Sequence, residues 1–585
     1  MKSFFKIFLA SFLALVIFSI IGFLVFVGFV SHIASSEDVK TGSKAVLLID
    51  LSHNYPEIGV ENPFSRFSSD KNDGDVPALY DVLRLIQHAK KDSAVKGIYL
   101  KCGQNGNGMG NSQELRNALA DFKTSGKFIY AYADVITQGG YSVANVADKI
   151  YCNPKGGVDW RGYAIQLAYV KGLLQKLEIE PQIFYAGKFK SATEPFRETS
   201  MTDPNRLQLT VLLGDLYSKM LMQTAAARKL DTATLHQYAN EYKIQYAADA
   251  LKYGLVDGLK YDDEVKEEIA KKIGVARIDK INFLSISKYA KAVDFKREGK
   301  DKITVIYAQG DIIDGRGDRN TIGSETYRDL FRKARLDDNV KAIVLRINSG
   351  GGSAQASEDM WRELTLARKV KPVVVSFGDV AASGAYYMSC NADSIFAQTN
   401  TITGSIGVFT MLPNMQKFFN EKLGITFDGV KTAPNADMLT ATKPLTPAQR
   451  QFLQNGVDSI YLSFKQRVAD GRKKNVNYID SIGQGRVWSG SRAIGLGLVD
   501  RLGGLDDAIA CAARMAKISD YRLKEYPEPH NVLDLIFGNS EKDAVQSAMK
   551  AELGENGMKS YEALKRVKQM MGVTQARLPF EFTIE

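Results

Sequence analysis

The chain has 585 residues, 45% of them hydrophobic and 24% charged, which is enough for two or more globular domains. Its net charge of +10 is not gathered into a Lys/Arg-rich run with interleaved aromatic residues, so the pattern argues against a nucleic-acid partner. The four cysteines (Cys102, Cys152, Cys390 and Cys511) have no C-x-x-C spacing, which excludes a zinc framework and makes a disulfide scaffold an unfavoured interpretation.

The N-terminus predicts a membrane anchor. Lys2 and Lys6 precede an apolar run from Ile7 to Val30 that contains no charged residue. A spanning helix needs about 20 residues, whereas the apolar core of a signal peptide has about 7–15. The basic residues before the run place the N-terminus inside and the bulk of the chain outside. Cleavage of a signal peptide near Ala34 is the alternative.

The remainder predicts an α/β protein, because short β-branched runs alternate with helical patterns. Ala45–Asp50, Val95–Leu100 and Phe128–Tyr132 are expected strands, and a helix is expected over residues 113–123.

An internal repeat divides the chain into two copies. Val95-Lys-Gly-Ile-Tyr-Leu100 is matched by Val340-Lys-Ala-Ile-Val-Leu345, 245 positions later. At the same spacing, Asp134-Val-Ile-Thr-Gln-Gly-Gly-Tyr141 is matched by Asp379-Val-Ala-Ala-Ser-Gly-Ala-Tyr386. Two copies at so long a period indicate duplicated domains and not a solenoid. The predicted segments are an anchor (1–36), a first copy (37–261), a linker (262–302), a second copy (303–517) and a C-terminal tail (518–585).

The stretch from Gly378 to Asp393 carries a candidate nucleophile. It follows the predicted strand Pro372–Phe377, with a turn expected at Gly378-Asp379 and a helix expected from Ala381 onward. Ser383 at such a strand-to-helix turn would have the N–H of Gly384 beside it as an oxyanion donor. For an isolated Ser-Gly pair, a small residue that packs a helix is the alternative.

A lysine is the candidate base for that serine. The first copy has Gln138 at the position of Ser383 but carries Lys188 and Lys190, and the second copy has no lysine at the matching place. A lysine can take a proton only when neutral, which burial in an apolar cleft favours. The five histidines lie far from Ser383 in sequence, although a distant one could still fold close to it. Solvated surface lysines are the alternative interpretation.

These residues together resemble signal peptide peptidase A, also called protease IV, of peptidase family S49, in its long duplicated form. The motifs that carry the resemblance are Gly187–Phe196, Leu345–Ser353, Gly378–Asp393 and Thr403–Gly407. The resemblance covers nearly the whole chain apart from the tail. Where the family usually has a proline, this chain has Gly350, which loosens the loop because glycine lacks a fixed φ.

The resemblance implies the site, the fold and the setting. It implies Ser383 as nucleophile, Lys190 as general base and Ser405 as the hydroxyl that orients the lysine, with an oxyanion hole formed by the N–H groups of Gly384 and Gly351. It implies two tandem ClpP/crotonase-like copies of repeated β-β-α units behind the transmembrane helix. The expected protein is a ring-like homo-oligomer, such as a homotetramer, on the inner membrane of a bacterium. Its catalytic part would face the periplasm and cleave peptides such as signal-peptide remnants, without metal or cofactor.

Two other functions share parts of this pattern. An acyl-CoA-binding enzyme of crotonase type would use backbone N–H pairs but would need neither Ser383 nor Lys190. A catalytically silent membrane scaffold would keep the fold and the anchor alone. A phosphate-binding loop at Gly350–Gly352 is disfavoured, because no Gly-Lys-Ser/Thr follows it.

Overall fold

The computed structural model describes residues 2–34, 39–59, 76–318, 320–528 and 572–578, together with a few residues between 552 and 561. Its longer helices are α1 (Lys2–Ala34), α2 (Leu79–Lys91), α3 (Met109–Lys123), α4 (Gln138–Ala144), α5 (Lys171–Lys176), α6 (Glu194–Arg197), α7 (Asp203–Arg228), α8 (Thr232–Asn240), α9 (Ala247–Lys252), α10 (Asp262–Ile273), α11 (Ile286–Ala292), α12 (Ser324–Leu336), α13 (Ala354–Arg368), α14 (Gly384–Ser389), α15 (Pro447–Arg472), α16 (Val476–Ile482), α17 (Gly490–Gly495) and α18 (Leu505–Met515).

The strands are β1 (Ala45–Asp50), β2 (Val95–Lys101), β3 (Phe128–Ile136), β4 (Lys149–Val158), β5 (Glu180–Ala186), β6 (Gly258–Leu259), β7 (Asn282–Ser285), β8 (Asp301–Gln309), β9 (Asp311–Ile313), β10 (Thr321–Gly323), β11 (Val340–Ser349), β12 (Gly351–Ser353), β13 (Val373–Ala382), β14 (Ser394–Ala397), β15 (Ile402–Gly404), β16 (Val408–Asn414), β17 (Val487–Ser489), β18 (Arg501–Leu502), β19 (Tyr521–Tyr526) and β20 (Gln575–Arg577). Helices alternate with largely parallel strands, so the α/β class predicted from the sequence is confirmed.

The first sheet has the order β6-β4-β3-β2-β1-β7, and all neighbouring strands in it are parallel. Strands β1 and β2 are almost entirely buried, as expected of a parallel sheet covered on both faces. Residues 262–302, which the sequence predicts as a linker, include α10 and β7. Because β7 pairs with β1, this segment extends the first sheet.

The second sheet repeats that order with strands from the C-terminal half. Its corresponding path is β18-β14-β13-β11-β8-β19, again with parallel neighbours. In addition, β15 pairs with the end of β13 at Val380–Ala382, and β17 pairs with β15. The predicted tail (518–585) therefore begins as part of this sheet, because β19 pairs with β8 as the edge strand of the sheet.

A third sheet, of six strands, joins distant parts of the chain. Its order is β10-β9-β12-β20-β16-β5, so β5 from the N-terminal half pairs with β16 from the C-terminal half. Strand β20, from the end of the chain, lies between β12 and β16. This mixed sheet is where residues far apart in sequence meet.

The N-terminal segment forms helix α1, whose bounds include the apolar run from Ile7 to Val30 that the sequence predicts as an anchor. In the portion of the chain covered by the structure, no helix reaches the length and apolar character that crossing a membrane requires. The side chains of residues 23–30, the last part of the predicted run, lie outside the described residues.

A buried ion cluster joins the two halves. The Arg346 guanidinium on β11 contacts the carboxylates of Glu57 and Glu114, at 2.9 and 2.7 Å, and it donates to Asn111 Oδ1 at 2.9 Å. Asp379 accepts from the Asn111 N–H at 2.8 Å. All three charged partners in the ion pairs are buried, and burial raises the pKa of Glu114. The cluster therefore fixes β11 and β13 against the N-terminal half.

We expect Arg346→Met to lower the free energy of unfolding by about 3–5 kcal/mol, because it leaves buried carboxylates without their cation. Urea or thermal denaturation followed by circular dichroism measures the loss. Arg277→Met is the control, since Arg277 forms an exposed ion pair with Asp279, and its cost should stay below about 1 kcal/mol. Equal effects of the two substitutions would contradict a structural role for the cluster.

Candidate active site

Ser383 lies at a sharp turn between β13 and α14. Its backbone has φ 56° and ψ −116°, a conformation that residues other than glycine rarely adopt. The Ser383 N–H donates to the carbonyl of Gly404 at 2.8 Å, and the residue is fully buried. The turn predicted at Gly378-Asp379 is wrong, and the helix begins at Gly384 and not at Ala381. The reason is that Val380–Ala382 pair with β15, which prolongs the strand.

Lys190 reaches this serine from the N-terminal half of the same chain. It follows β5, and its Nζ lies 2.9 Å from Ser383 Oγ and 3.0 Å from Ser405 Oγ. The Nζ also donates to the main-chain carbonyl of Arg577. Ser405, another residue with a positive φ of 50°, is held by its N–H, which donates to the carbonyl of Arg486 at 2.7 Å. The three side chains proposed from the sequence therefore lie together.

The surroundings of Lys190 favour a neutral amine. The side chain is 1% exposed, and burial lowers the pKa of Lys190 well below its ordinary value of 10.5. Its hydrogen-bond partners are hydroxyl and carbonyl oxygens, which can bind an uncharged amine. Lys188 is instead exposed, with its Nζ 5.3 Å from the centre of the Phe189 ring.

Two glycines hold the lysine segment in place. Gly187 has φ +103°, and a Cβ there would lie 2.5 Å from the backbone of Gln484. Gly485 has φ +79°, and a Cβ there would lie 2.6 Å from the main-chain nitrogen of Lys190. Between them the Phe189 N–H donates to the Gln484 carbonyl at 2.8 Å. This close backbone approach requires glycine at both positions.

Sequence reasoning missed Gln208, which supports the same segment. This buried residue on α7 donates from Nε2 to the Phe189 carbonyl at 3.0 Å and to Ser191 Oγ at 2.9 Å. Its Oε1 accepts from the Val487 N–H at 3.3 Å. Nothing in the local sequence marks this glutamine, because its partners come from two other parts of the chain.

The predicted oxyanion glycines flank the serine. Gly384 is the first residue of α14, so its N–H has no acceptor within the helix. Gly351, with φ +95°, donates its N–H to Ser349 Oγ at 3.1 Å. A Cβ built on Gly351 would lie 2.7 Å from the Gly384 nitrogen and 2.2 Å from the Ala576 carbonyl oxygen. Both glycines therefore lie against the main chain of β20.

The end of the chain covers this arrangement. The Leu578 N–H donates to the Gly350 carbonyl at 2.6 Å, and the Ala354 N–H donates to the Thr574 carbonyl at 3.1 Å. Residues 574–578, with β20 at their centre, thus run antiparallel along β12, and the Arg577 carbonyl reaches Lys190. Beyond it lies a cavity of about 1070 Å³ between the two halves, and Leu578 is among its lining residues. Gly350, the glycine at the usual proline position, is one anchor of this strand.

The equivalent position in the N-terminal half has a structural role. Gln138 begins helix α4, and its Oε1 accepts from the N–H groups of Arg161 and Gly162 at 2.9 and 2.8 Å. Its Nε2 donates to the Gly162 carbonyl at 2.7 Å. The side chain thus fixes a turn, and it offers no nucleophile.

Two of the histidines have their partners outside this site. His88 Nδ1 is hydrogen-bonded to Tyr289 at 2.8 Å, and the His236 ring packs against Tyr217. His530 lies outside the described residues. Over the ranges that the structure describes, no group of His, Cys, Asp and Glu side chains is arranged to hold a metal ion.

We expect Gly485→Ala to lower the free energy of unfolding by about 1–3 kcal/mol. The new Cβ would stand on a backbone with positive φ and would press against the main chain of Lys190. Chemical denaturation measures this loss. Gly456→Ala in α15 is the matched control, since its Cβ would meet nothing within 4 Å. That substitution should raise stability by about 0.5–1 kcal/mol. An unchanged free energy of unfolding in Gly485→Ala would contradict the close backbone approach.

Comparison with known proteins identifies the family. The sequence model of Peptidase family S49 matches residues 121–276 and 365–519, together just over half of the chain. "Protease 4" of Salmonella typhi is 34% identical over 551 residues, covering 91% of this chain and 87% of that protein. "Protease 4" of Haemophilus influenzae is 32% identical, covering 81% of this chain and 80% of that protein.

A plant protein is similar as well. "Serine protease SPPA, chloroplastic" of Arabidopsis thaliana is 33% identical over 440 residues, covering 74% of this chain and 64% of that protein. The resemblance predicted from the sequence motifs is thereby confirmed. The chain belongs to peptidase family S49 and is a serine peptidase.

Proposed function

We propose that the protein is a membrane-anchored serine endopeptidase in which Ser383 is the nucleophile and Lys190 the general base. The observation that carries the proposal is the 2.9 Å hydrogen bond between a buried lysine amine and a hydroxyl on a strained turn. The positive φ of Ser383 is the geometry expected of a nucleophile elbow, which presents the hydroxyl to a substrate.

The hydrogen bonds around Lys190 match a neutral amine. A neutral amine has two N–H donors and one lone pair. The main-chain carbonyl of Arg577 can only accept, and the Ser405 hydroxyl can accept the second proton. The lone pair is then left for the Ser383 hydroxyl, which is the arrangement that a base needs before it takes a proton.

The reaction then follows in two steps. Ser383 Oγ attacks the scissile carbonyl carbon while its proton passes to Lys190 Nζ, and the carbonyl oxygen becomes an oxyanion. We assign the N–H groups of Gly384 and Gly351 as its donors, with the Gly351 N–H turning from Ser349 Oγ to the oxyanion. The C–N bond breaks, the amine leaves with the proton from Lys190, and an acyl-enzyme ester remains. Water activated by Lys190 hydrolyses that ester and restores the serine.

We also propose the architecture and setting implied by the resemblance. The matching strand orders of the two sheets support two tandem ClpP/crotonase-like copies, of which the N-terminal one supplies the lysine and the C-terminal one the serine. Helix α1 would anchor the protein in the inner membrane of a bacterium, with the catalytic part in the periplasm. Ring-like homo-oligomers would then act on peptides such as signal-peptide remnants.

We expect Ser383→Ala to lower kcat/KM for peptides by at least about a thousandfold while the circular dichroism spectrum is unchanged. A fluorophosphonate probe should label the wild type at Ser383 and leave the variant unlabelled, as measured by mass spectrometry of tryptic fragments. Peptidase activity of the variant within about tenfold of wild type would overturn the assignment, since such a loss is too small for a nucleophile.

Substitution of Lys190 and Lys188 distinguishes the general base from the neighbouring lysine. Lys190→Ala and Lys190→Arg should both be about as inactive as Ser383→Ala, because a guanidinium stays protonated at any usable pH. Combining Lys190→Ala with Ser383→Ala should add little, since the two residues act as one unit. Lys188→Ala and Lys188→Arg are the matched controls and should keep activity. Loss of activity in the Lys188 variants alone would place the base at that residue.

The pH profile tests the neutral amine. Lys190 acts only when deprotonated, so kcat/KM should rise with pH through a pKa well below 10.5 and then level off. A positive charge on Lys188, two residues away in sequence, would also help to lower this pKa. Because Lys188 is exposed and Lys190 is buried, we expect burial to dominate, so Lys188→Ala should leave the midpoint unchanged. A rise of kcat/KM that comes only near pH 10.5 would contradict a buried, neutral Lys190 as the base.

A further inference from the structure

The chain's own C-terminal segment lies in the site in the manner of a bound peptide. Gly351–Ser353 of β12 pair antiparallel with Gln575–Arg577, and Phe409 of β16 pairs with Gln575 on the other side. Addition of an extended strand to a sheet is a common mode of peptide recognition, with main-chain hydrogen bonds for affinity and side-chain pockets for specificity. The segment thus indicates which pockets a substrate would meet.

Arg577 is the residue of this strand at the reactive centre. Its carbonyl oxygen accepts from Lys190 Nζ, the amine that also contacts Ser383. For cleavage, a substrate carbonyl in this place would turn from Lys190 Nζ to the N–H groups assigned to the oxyanion hole, and its residue would contribute the acyl group of the ester. The bond to be cut would then correspond to the one between Arg577 and Leu578.

The side chain of Arg577 is bound by a carboxylate. Its Nη2 lies 2.6 Å from Asp311 Oδ1 on β9, and the two side chains are only 11% and 21% exposed. Gly352 pairs with Ile312, so Asp311 lies beside Gly351, which in turn pairs with Arg577. Because Gly351 has no side chain, the guanidinium can cross the intervening strand to reach the carboxylate.

Building on the proposed function, we propose that Asp311 forms an acidic subsite that selects a basic residue, Arg or Lys, on the acyl side of the cleaved bond. A partly buried, charge-assisted hydrogen bond of this kind is worth enough to raise selectivity roughly 10- to 100-fold. An internal ion pair that only holds the chain end in place is the alternative, and the experiment separates the two.

The first measurement uses the full chain and quenched fluorescent peptides of sequence Thr-Gln-Ala-X-Leu, in which X is Arg, Lys, Leu or Glu. We expect kcat/KM for X = Arg to exceed that for X = Leu by at least about tenfold. Asp311→Asn should reduce this ratio by about tenfold or more. Glu325→Gln, which removes an exposed carboxylate paired with Arg316, is the matched control and should keep the wild-type ratio.

The second measurement needs no catalysis. In a Ser383→Ala background, Arg577→Glu should speed hydrogen–deuterium exchange of the amides in residues 574–578 by about tenfold, because two carboxylates then face each other. Adding Asp311→Arg should restore slow exchange. This charge reversal shows whether Asp311 binds the side chain at position 577, and the peptide series shows whether that binding selects substrates.

Three results have distinct meanings. Cleavage of all four peptides at equal rates, or an Arg preference that survives Asp311→Asn, overturns the acidic subsite and leaves the peptidase intact. Exchange that is unaffected by Arg577→Glu also overturns it, because the charge pair then does not hold the strand. Failure of Ser383 to react with any peptide or probe would overturn the proposed function and with it substrate selection by Asp311, while the exchange measurement would still show whether Asp311 binds Arg577.

Discussion

The hydrogen bond between Lys190 and Ser383 is the contact on which the architecture depends. The two residues are separated by 193 positions, and both side chains are buried. A charged lysine in such a place would cost several kcal/mol of desolvation, so the fold must favour the neutral amine and satisfy it with hydrogen bonds. It does so by bringing β5 out of the N-terminal half to pair with β16 of the other half. The chain is therefore interleaved, and the site exists only where the halves meet.

The two halves share a strand order but use equivalent positions differently. In the C-terminal half the strand-to-helix turn is strained and carries Ser383, whereas in the N-terminal half Gln138 fixes a turn with its amide. Duplication allows one copy to lose a reactive side chain if the other keeps it. In return, the relative position of the halves must be fixed closely enough to keep Lys190 and Ser383 at hydrogen-bond distance. The Arg346 cluster, which links β11 to Glu57 and Glu114, meets that requirement beside β13, the strand that leads to Ser383.

The sequence predicts which side chains meet at the site better than it predicts where the secondary-structure elements begin and end. Repeat comparison identifies Ser383 and Lys190 as unusual, because each stands where the other copy lacks that group, and the family motif adds Ser405. The turn expected at Gly378-Asp379 is wrong because pairing with β15 overrides the local glycine signal. The place of β7 in the first sheet and the support from Gln208 depend on partners more than 200 residues away or on several segments at once. Strand β20 has three residues, too few for a pattern to be visible.

A groove that binds a peptide by strand addition forms its hydrogen bonds with the peptide main chain, and the main chain is the same in every sequence. These hydrogen bonds therefore give affinity without selectivity. The contacts of Gly350 and Ala354 with residues 574–578 would form with any extended peptide free of proline at the pairing positions. Discrimination must come from the side chains, which alternate between the two faces of the added strand. On one face Ala576 is fully buried, so a longer side chain there would have to displace packed neighbours. On the other face the missing Cβ of Gly351 opens the way from Arg577 to Asp311. The glycine that we propose for the oxyanion hole is thus also the residue that lets the Arg577 side chain reach Asp311.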